Sequence, residues 1–290
     1  MNPFDCVSIV GVGLLGGSLA KVMRKLGLAK SLVGYGRNKT NLEEAKALGI
    51  IDQVAPDIQS AVKDADLIVL CSPVRAISQL ITKMAPHIKP GCLVTDVGSV
   101  KEPLVREVEA LIPKDVFFVG AHPIAGSEKS GFHASSDTLF KDTHCIVTPT
   151  EKTAPSALKR TIELWKTVGM RVSIMDVKEH DFIFGAVSHL PHVLIFALMN
   201  TLGGLKSDNY DEITSFSGTG LKDITRIAGS EPVIWKDICI SNKDSILHCL
   251  DRFQKTLNHL RSGIEQENGE LLTQEFENAN KHRLNLIGNA

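Results

Sequence analysis

From residue 6 to about 175, short β-rich runs alternate with amphipathic stretches, and this alternation constrains the fold more than any other feature of the chain. The runs lie at 7–10, 32–35, 67–71, 93–96, 116–119, 145–148 and 172–175, and the stretches 42–48, 76–84, 103–111 and 157–168 carry apolar residues at helical spacing. Gly49 and Gly169 stand where two of those helices should stop. Apolar strands separated by helices predict an α/β Rossmann-type, doubly wound, mostly parallel sheet covered on both faces. After Met175 the strand pattern ends, and 178–202, 221–228, 231–242, 243–267 and 269–286 all read as helix. Two domains are therefore expected, a Rossmann domain at 1–177 and an all-α domain at 178–290. The segment 190–205 is apolar almost all round, as expected of a helix in a core or a dimer interface.

The first strand runs into Gly11-Val-Gly13-Leu14-Leu15-Gly16, which opens a helix within a βαβ unit. That context makes the glycines a dinucleotide fingerprint. Gly11 permits a tight turn, Gly13 lets the backbone approach a pyrophosphate, and Gly16 lets the helix pack closely on the strand. The second strand ends in Gly34-Tyr35-Gly36-Arg37, with no carboxylate to hold a ribose 2′-hydroxyl. Gly36 leaves space and Arg37 offers a bidentate charge, so NADP is favoured slightly over NAD. Ser72-Pro73, after the third long strand, should border the same cofactor.

A net charge of −1 with evenly mixed acidic and basic residues argues against a nucleic-acid partner. No apolar run in the sequence approaches the roughly 18 residues of a membrane span, and the N-terminus lacks a signal core. The six cysteines are scattered with no Cys-x-x-Cys spacing, which fits buried filler in a reduced cytoplasm.

Chemistry is expected where the parallel strands end. His122 follows the 116–119 run, and Ser99 follows the 93–96 run in Asp96-Val-Gly-Ser99-Val-Lys101. A serine beside a histidine can hold the imidazole and a substrate hydroxyl, and Ser99 can equally cap the helix that begins near Lys101. Asp96 reads as a supporting residue. In the helical part, Ser188 and His192 are one turn apart, as are Lys222 and Arg226, and two cations with a histidine suit a dianionic substrate. His189 and His192 lack a third ligand nearby, so no metal is expected.

Five ordered motifs resemble the prephenate and arogenate dehydrogenase family over nearly the whole chain. They are the Gly11 loop, Asp96-Val-Gly-Ser-Val-Lys, Gly120-Ala-His122-Pro-Ile-Ala-Gly-Ser127-Glu128, Ser188-His-Leu-Pro-His192, and Gly220-Leu-Lys222-Asp-Ile-Thr-Arg226 with Trp235-Lys-Asp237. The resemblance implies oxidative decarboxylation of prephenate to 4-hydroxyphenylpyruvate, or of L-arogenate to L-tyrosine, by a homodimer. It places the catalytic histidine on His122, the orienting serine on Ser99, substrate binding on His192 and Arg226, and Ser127 and Glu128 at the mouth of the site. At 290 residues there is no room for the regulatory or mutase domain fused in some relatives, so no control through such a domain is expected. The rival readings are a β-hydroxyacid or 6-phosphogluconate-type dehydrogenase, with Lys222 as its lysine, and a nucleotide-sensing Rossmann protein without turnover.

Overall fold

The computed structural model describes residues 1–126, 131–207 and 212–288. In chain order the elements are β1 (Phe4–Val10), α1 (Leu14–Lys25), β2 (Ala29–Tyr35), α2 (Lys39–Ala47), β3 (Gln53–Val54), α3 (Ile58–Val62), β4 (Leu67–Leu70), α4 (Val74–Met84), β5 (Leu93–Asp96), α5 (Glu102–Leu111), β6 (Phe117–Ile124), β7 (His144–Thr148), α6 (Pro155–Thr167) and β8 (Arg171–Ile174). The α-helices that follow among the described residues are α7 (Val177–Phe184), α8 (Leu190–Gly204), α9 (Thr219–Thr225), α10 (Pro232–Ser241), α11 (Lys243–Glu265) and α12 (Gly269–Gly288).

The strands form one sheet in the order β3-β2-β1-β4-β5-β6-β7-β8, parallel except for the β6–β7 pair. Alternate residues of each strand feed different cores, because successive strand side chains point to opposite faces. Val7, Ile9, Leu67, Val69 and Leu93 pack with Leu19, Met23 and Trp165 in one cluster, whereas Val10, Ile68, Leu70 and Val94 pack with Ile77, Ile81 and Leu104 in the other. The order reverses between β1 and β4, and the crevice at that switch is where such a sheet binds ligands. Gly49 (φ +68°) and Gly169 (φ +103°) do terminate α2 and α6, in a left-handed conformation that a side chain would strain.

Two local expectations change. The strand expected to stop at residue 119 continues to Ile124, because β7 pairs with it antiparallel from Gly120↔Thr148 to Ile124↔His144 after parallel pairing with β5 has ended at Thr95↔Val119. The two-residue edge strand β3 carries too little pattern to read in sequence.

Residues Met1–Lys243 form one compact unit and Asp244–Ala290 a second. The expected boundary after residue 177 falls inside the first unit, where β8 gives way to α7. The second unit is a helical hairpin. Gly263 of α11 faces Leu271 and Leu272 of α12 so closely that a Cβ there would lie 2.8 Å from Leu271 Cδ2. All six cysteines are free thiols.

Helices α7 and α8 are joined through one π-helical turn, Gly185–His189. The joined helix Val177–Gly204 is long and apolar enough to cross a membrane by length and composition, a match that reading the apolar runs separately did not register. No residue of α8 is fully buried and most are half-buried, so its apolar surface is only partly covered by the described residues of the chain.

Candidate active site

The glycine loop has the geometry of a phosphate cradle. Gly11 turns at φ +108°, and a Cβ there would lie 2.7 Å from the Cys71 carbonyl carbon. A Cβ on Gly16 would collide with the Gly11 carbonyl oxygen and come within 2.9 Å of Ile9 Cγ2, so only glycine lets α1 sit this close to β1. Nothing lies within 4 Å of the same point on Gly13, which begins α1 with no side chain capping its free N–H groups. An open helix N-terminus of this kind suits a pyrophosphate.

A cavity of about 370 Å³ opens beside the loop, lined by Gly11, Gly13, Gly36, Arg37, Ser72 and Pro73 among others. Ser72 Oγ donates to the Val10 carbonyl at 3.3 Å, which ties the two strand ends that flank the switch point. Leu14, Leu15 and Gly16 start α1 and do not line the cavity. Gln79 and Lys83 of α4 do line it, and sequence reasoning missed both; their one-turn spacing with Ala76 was the available signal.

His122 sits on the β6 extension, 8% exposed, with Nδ1 2.8 Å from His180 Nε2. Burial, then the neighbouring His180, Lys101 and His189, hold its pKa well below the ordinary 6.5. The Phe184 ring packs against both imidazoles, with centroids 4.7 Å from His122 and 4.5 Å from His180.

Ser99 is half-buried between β5 and α5, in a loop fastened to the strand residue preceding His122. Asp96 Oδ1 accepts the Ala121 N–H at 3.1 Å, and Lys101 Nζ donates to the Ala121 carbonyl at 2.8 Å. Asp96 and Lys101 are also ion-paired with both side chains fully buried. Ser99 is not the cap of α5. That role falls to the distant Asp181, whose oxygens accept the N–H groups of Lys101 at 2.7 Å and Glu102 at 2.8 Å.

Contacts continue from there into the helices. The Asn242 side chain donates to the Asp181 carbonyl at 2.7 Å and to His189 Nδ1 at 3.0 Å. His189 is packed edge-on to Trp235, and the His192 ring stacks on the same indole with centroids 3.7 Å apart. Burial lowers the pKa of His189 to about 4. His192 Nδ1 donates to the Ser188 carbonyl at 2.9 Å, across the junction of the π turn and α8. Burial lowers the His192 pKa, the bond to Ser188 opposes that, and the Arg226 charge lowers it further, which places Arg226 within electrostatic reach.

Lys222 and Arg226 are exposed; α9 ends at Thr225, with Arg226 as its helical C-cap. A run of contacts thus links His122 through His180, Asp181, Asn242, His189 and Trp235 to His192. Of this run, His180, Asp181 and Asn242 were not anticipated. Ser127 and Glu128 lie outside the described residues. Among the described residues no cluster of three or more His, Cys, Asp or Glu could hold a metal.

Comparison with known proteins agrees with this architecture. The sequence profile of the prephenate dehydrogenase nucleotide-binding domain matches residues 19–174, and that of the prephenate dehydrogenase dimerization domain matches 176–278. The cyclohexadienyl dehydrogenase of Zymomonas mobilis is 34% identical over 99% of this chain and 97% of its own. The prephenate dehydrogenase of Bacillus subtilis is 34% identical over 96% of this chain and 75% of its own. Among solved structures, the prephenate dehydrogenase from A. aeolicus, in complex with hydroxyphenyl propionate and NAD+, superposes with a TM-score of 0.90 at 39% identity, covering 97% of this chain and 98% of that one. On both sequence and fold, the chain belongs to the prephenate dehydrogenase family.

Proposed function

We propose that this protein catalyses the oxidative decarboxylation of prephenate, of L-arogenate, or of both, with a nicotinamide dinucleotide as oxidant. The observation that carries the reading is His122. It is a buried imidazole held in its neutral form, on the same sheet as an open glycine cradle. A dinucleotide held at the Gly11–Gly16 turn and by Arg37 would supply the acceptor for the hydride on ring carbon C4. His122 takes the proton of the C4 hydroxyl as that hydride leaves, while the electron pair of the ring carbon–carboxylate bond enters the ring and CO2 departs. The proton then returns to the phenolate oxygen, so none is gained or lost overall. Ser99 holds the hydroxyl against the imidazole, and His192 and Arg226, with Ser188 and Lys222 beside them, receive the carboxylates.

Residues 1–177 bind the cofactor, and 178–290 bind substrate and dimerise. The partly covered apolar surface of α8 is the natural seam for a second copy, and a cytoplasmic location fits six free thiols. Reduced-cofactor absorbance with prephenate, L-arogenate and 6-phosphogluconate in turn tests the reaction. Turnover of 6-phosphogluconate alone would overturn it.

Because burial depresses the His122 pKa, with His180, Lys101 and His189 adding to the effect and Asp96 and Asp181 nearby, the base is already neutral at pH 7. kcat is therefore flat through neutrality and falls only as pH drops through a single ionisation below 6.5. An acid limb centred above 6.5 would show a different group at work.

The cofactor is NADP or NAD, with NADP slightly favoured. Arg37 and Lys83 line one cavity with Gly36, where a Cβ would meet nothing nearer than Leu42 Cδ1 at 3.9 Å. Gly36→Asp should reverse the ratio of kcat/KM values towards NAD, since the new carboxylate repels a 2′-phosphate and accepts from a ribose hydroxyl. A wild-type enzyme that already prefers NAD tenfold would assign Arg37 another purpose, such as stacking on adenine.

Arg226→Ala should raise KM for the substrate roughly ten- to a hundredfold, as expected for losing a charge-assisted pair of about 1.5–3 kcal/mol. Cofactor affinity, read by titration, should barely move. An equal loss of both would hand the anchoring role to Lys222 or His192.

A further inference from the structure

His180 belongs to none of the motifs that carry the family resemblance, yet it is the polar partner of His122. Its ring is fully buried on α7, with Nε2 2.8 Å from His122 Nδ1 and Nδ1 2.8 Å from Asp181 Oδ1. The protons along this row can be placed from its far end. Asp181 accepts two backbone N–H groups at the start of α5, and a carboxylate can only accept, so the proton between Asp181 and His180 sits on His180 Nδ1. A neutral His180 then offers a lone pair at Nε2. The proton between the two rings must therefore sit on His122 Nδ1, which leaves the lone pair of His122 on Nε2.

We propose that His180, oriented by Asp181, is a positioning residue that fixes His122 in the Nδ1–H tautomer and so makes Nε2 the atom that receives the substrate proton. The proposal rests on the reading of His122 as proton acceptor. It is not the default arrangement, since a free neutral histidine side chain favours the Nε2–H form. Burial favours the neutral form of His180, in keeping with its acceptor role, although its bond to Asp181 opposes that shift. When His122 takes up a proton at Nε2, its Nδ1–H remains bonded to His180, and the Asp181 carboxylate at the end of the row favours the transient positive charge. The Phe184 ring against both imidazoles restricts their rotation. Proton, orientation and charge are thus set by residues outside the family motifs.

The test is long-range ¹H–¹⁵N correlation of the imidazole nitrogens in the full-length, histidine-labelled enzyme at neutral pH, assigned with His122→Asn. The wild type should show His122 with a protonated Nδ1 and a bare Nε2. In His180→Phe the Nε2–H form should appear and kcat fall about 10- to 100-fold, less than the 10²–10⁴ of removing a general base because the correct tautomer stays accessible. KM for substrate and cofactor should stay within a few-fold. His180→Gln, whose Oε1 can accept the Nδ1–H in place of the imidazole lone pair, should recover the tautomer and most of kcat, a rescue that a purely structural role would not give. If the wild type carries the Nε2–H form, or if the tautomer and kcat survive in His180→Phe, the proposal is overturned. Should His180→Phe fail to fold, the wild-type spectrum and His180→Gln still decide it. A near-normal kcat in His122→Asn with the wild-type tautomer as stated would instead overturn the underlying reading of His122 as base.

Discussion

His122→Asn should lower kcat by about 10²- to 10⁴-fold, the range for removing a positioned general base, while cofactor binding stays intact. Asparagine is the informative replacement because its short amide can occupy part of the ring's volume and still hydrogen-bond, yet it takes up no proton at neutral pH. The site itself should survive. Ala121, the residue before it, is held by Asp96 and Lys101 through its N–H and carbonyl, and β6 and β7 pair through backbone groups that the substitution leaves alone. Cofactor affinity should be unaffected because the cradle lies on the β1–α1 turn and the cavity beside it, neither of which includes His122. Steady-state kinetics with a cofactor titration separates the two quantities. A variant with near-normal kcat would remove His122 from the chemistry and leave it as a packing residue between His180 and Phe184.

The parts of this protein that were legible in its sequence are those governed by local pattern. Strands buried on both faces, such as β4 and β5, read as short apolar runs, and β1, β2, β7 and the exposed edge strand β8 were also recognised within a few residues. The glycine loop was equally clear, since its spacing follows from the turn and from the approach of α1 to β1. What escaped was set by partners distant in sequence. The 120–124 segment has no strand signature of its own and is extended because β7 pairs with it. Ser99 looks like a helix cap in sequence, but Asp181 supplies the cap from 80 residues away, and nothing local announces it. His180 and Asp181 read as two polar residues near the start of an amphipathic helix, and their meaning depends on a contact with His122 across 58 residues. Lys83 belongs to the cavity only because α4 follows the switch point, so that its lining face is decided by topology.

Lys101→Met should destabilise the fold by about 3–5 kcal/mol, the usual cost of stranding one member of a buried ion pair. Lys101 and Asp96 are both fully enclosed. Without the ammonium, the Asp96 carboxylate keeps, among the described residues, the N–H groups of Gly98 and Ala121, too few for a buried charge. At a slope of about 2–3 kcal/mol per molar urea, the unfolding midpoint should drop by about 1–2 M. Trp165 reports the transition, since it is fully buried in the cluster that includes Ala121. Asp96→Asn combined with Lys101→Met should recover part of the loss, because it removes the stranded charge, while the single amide oxygen can accept from only one of the two N–H groups that now bond to separate carboxylate oxygens. An unshifted midpoint in the single variant would mean that water reaches the pair. The same lysine also lowers the pKa of His122 through its charge. In Lys101→Met that folds, the acid limb of kcat should therefore move to higher pH, because protonating His122 no longer works against a neighbouring cation. A destabilised variant whose acid limb stayed in place would confine Lys101 to holding the strand, with no part in tuning the base.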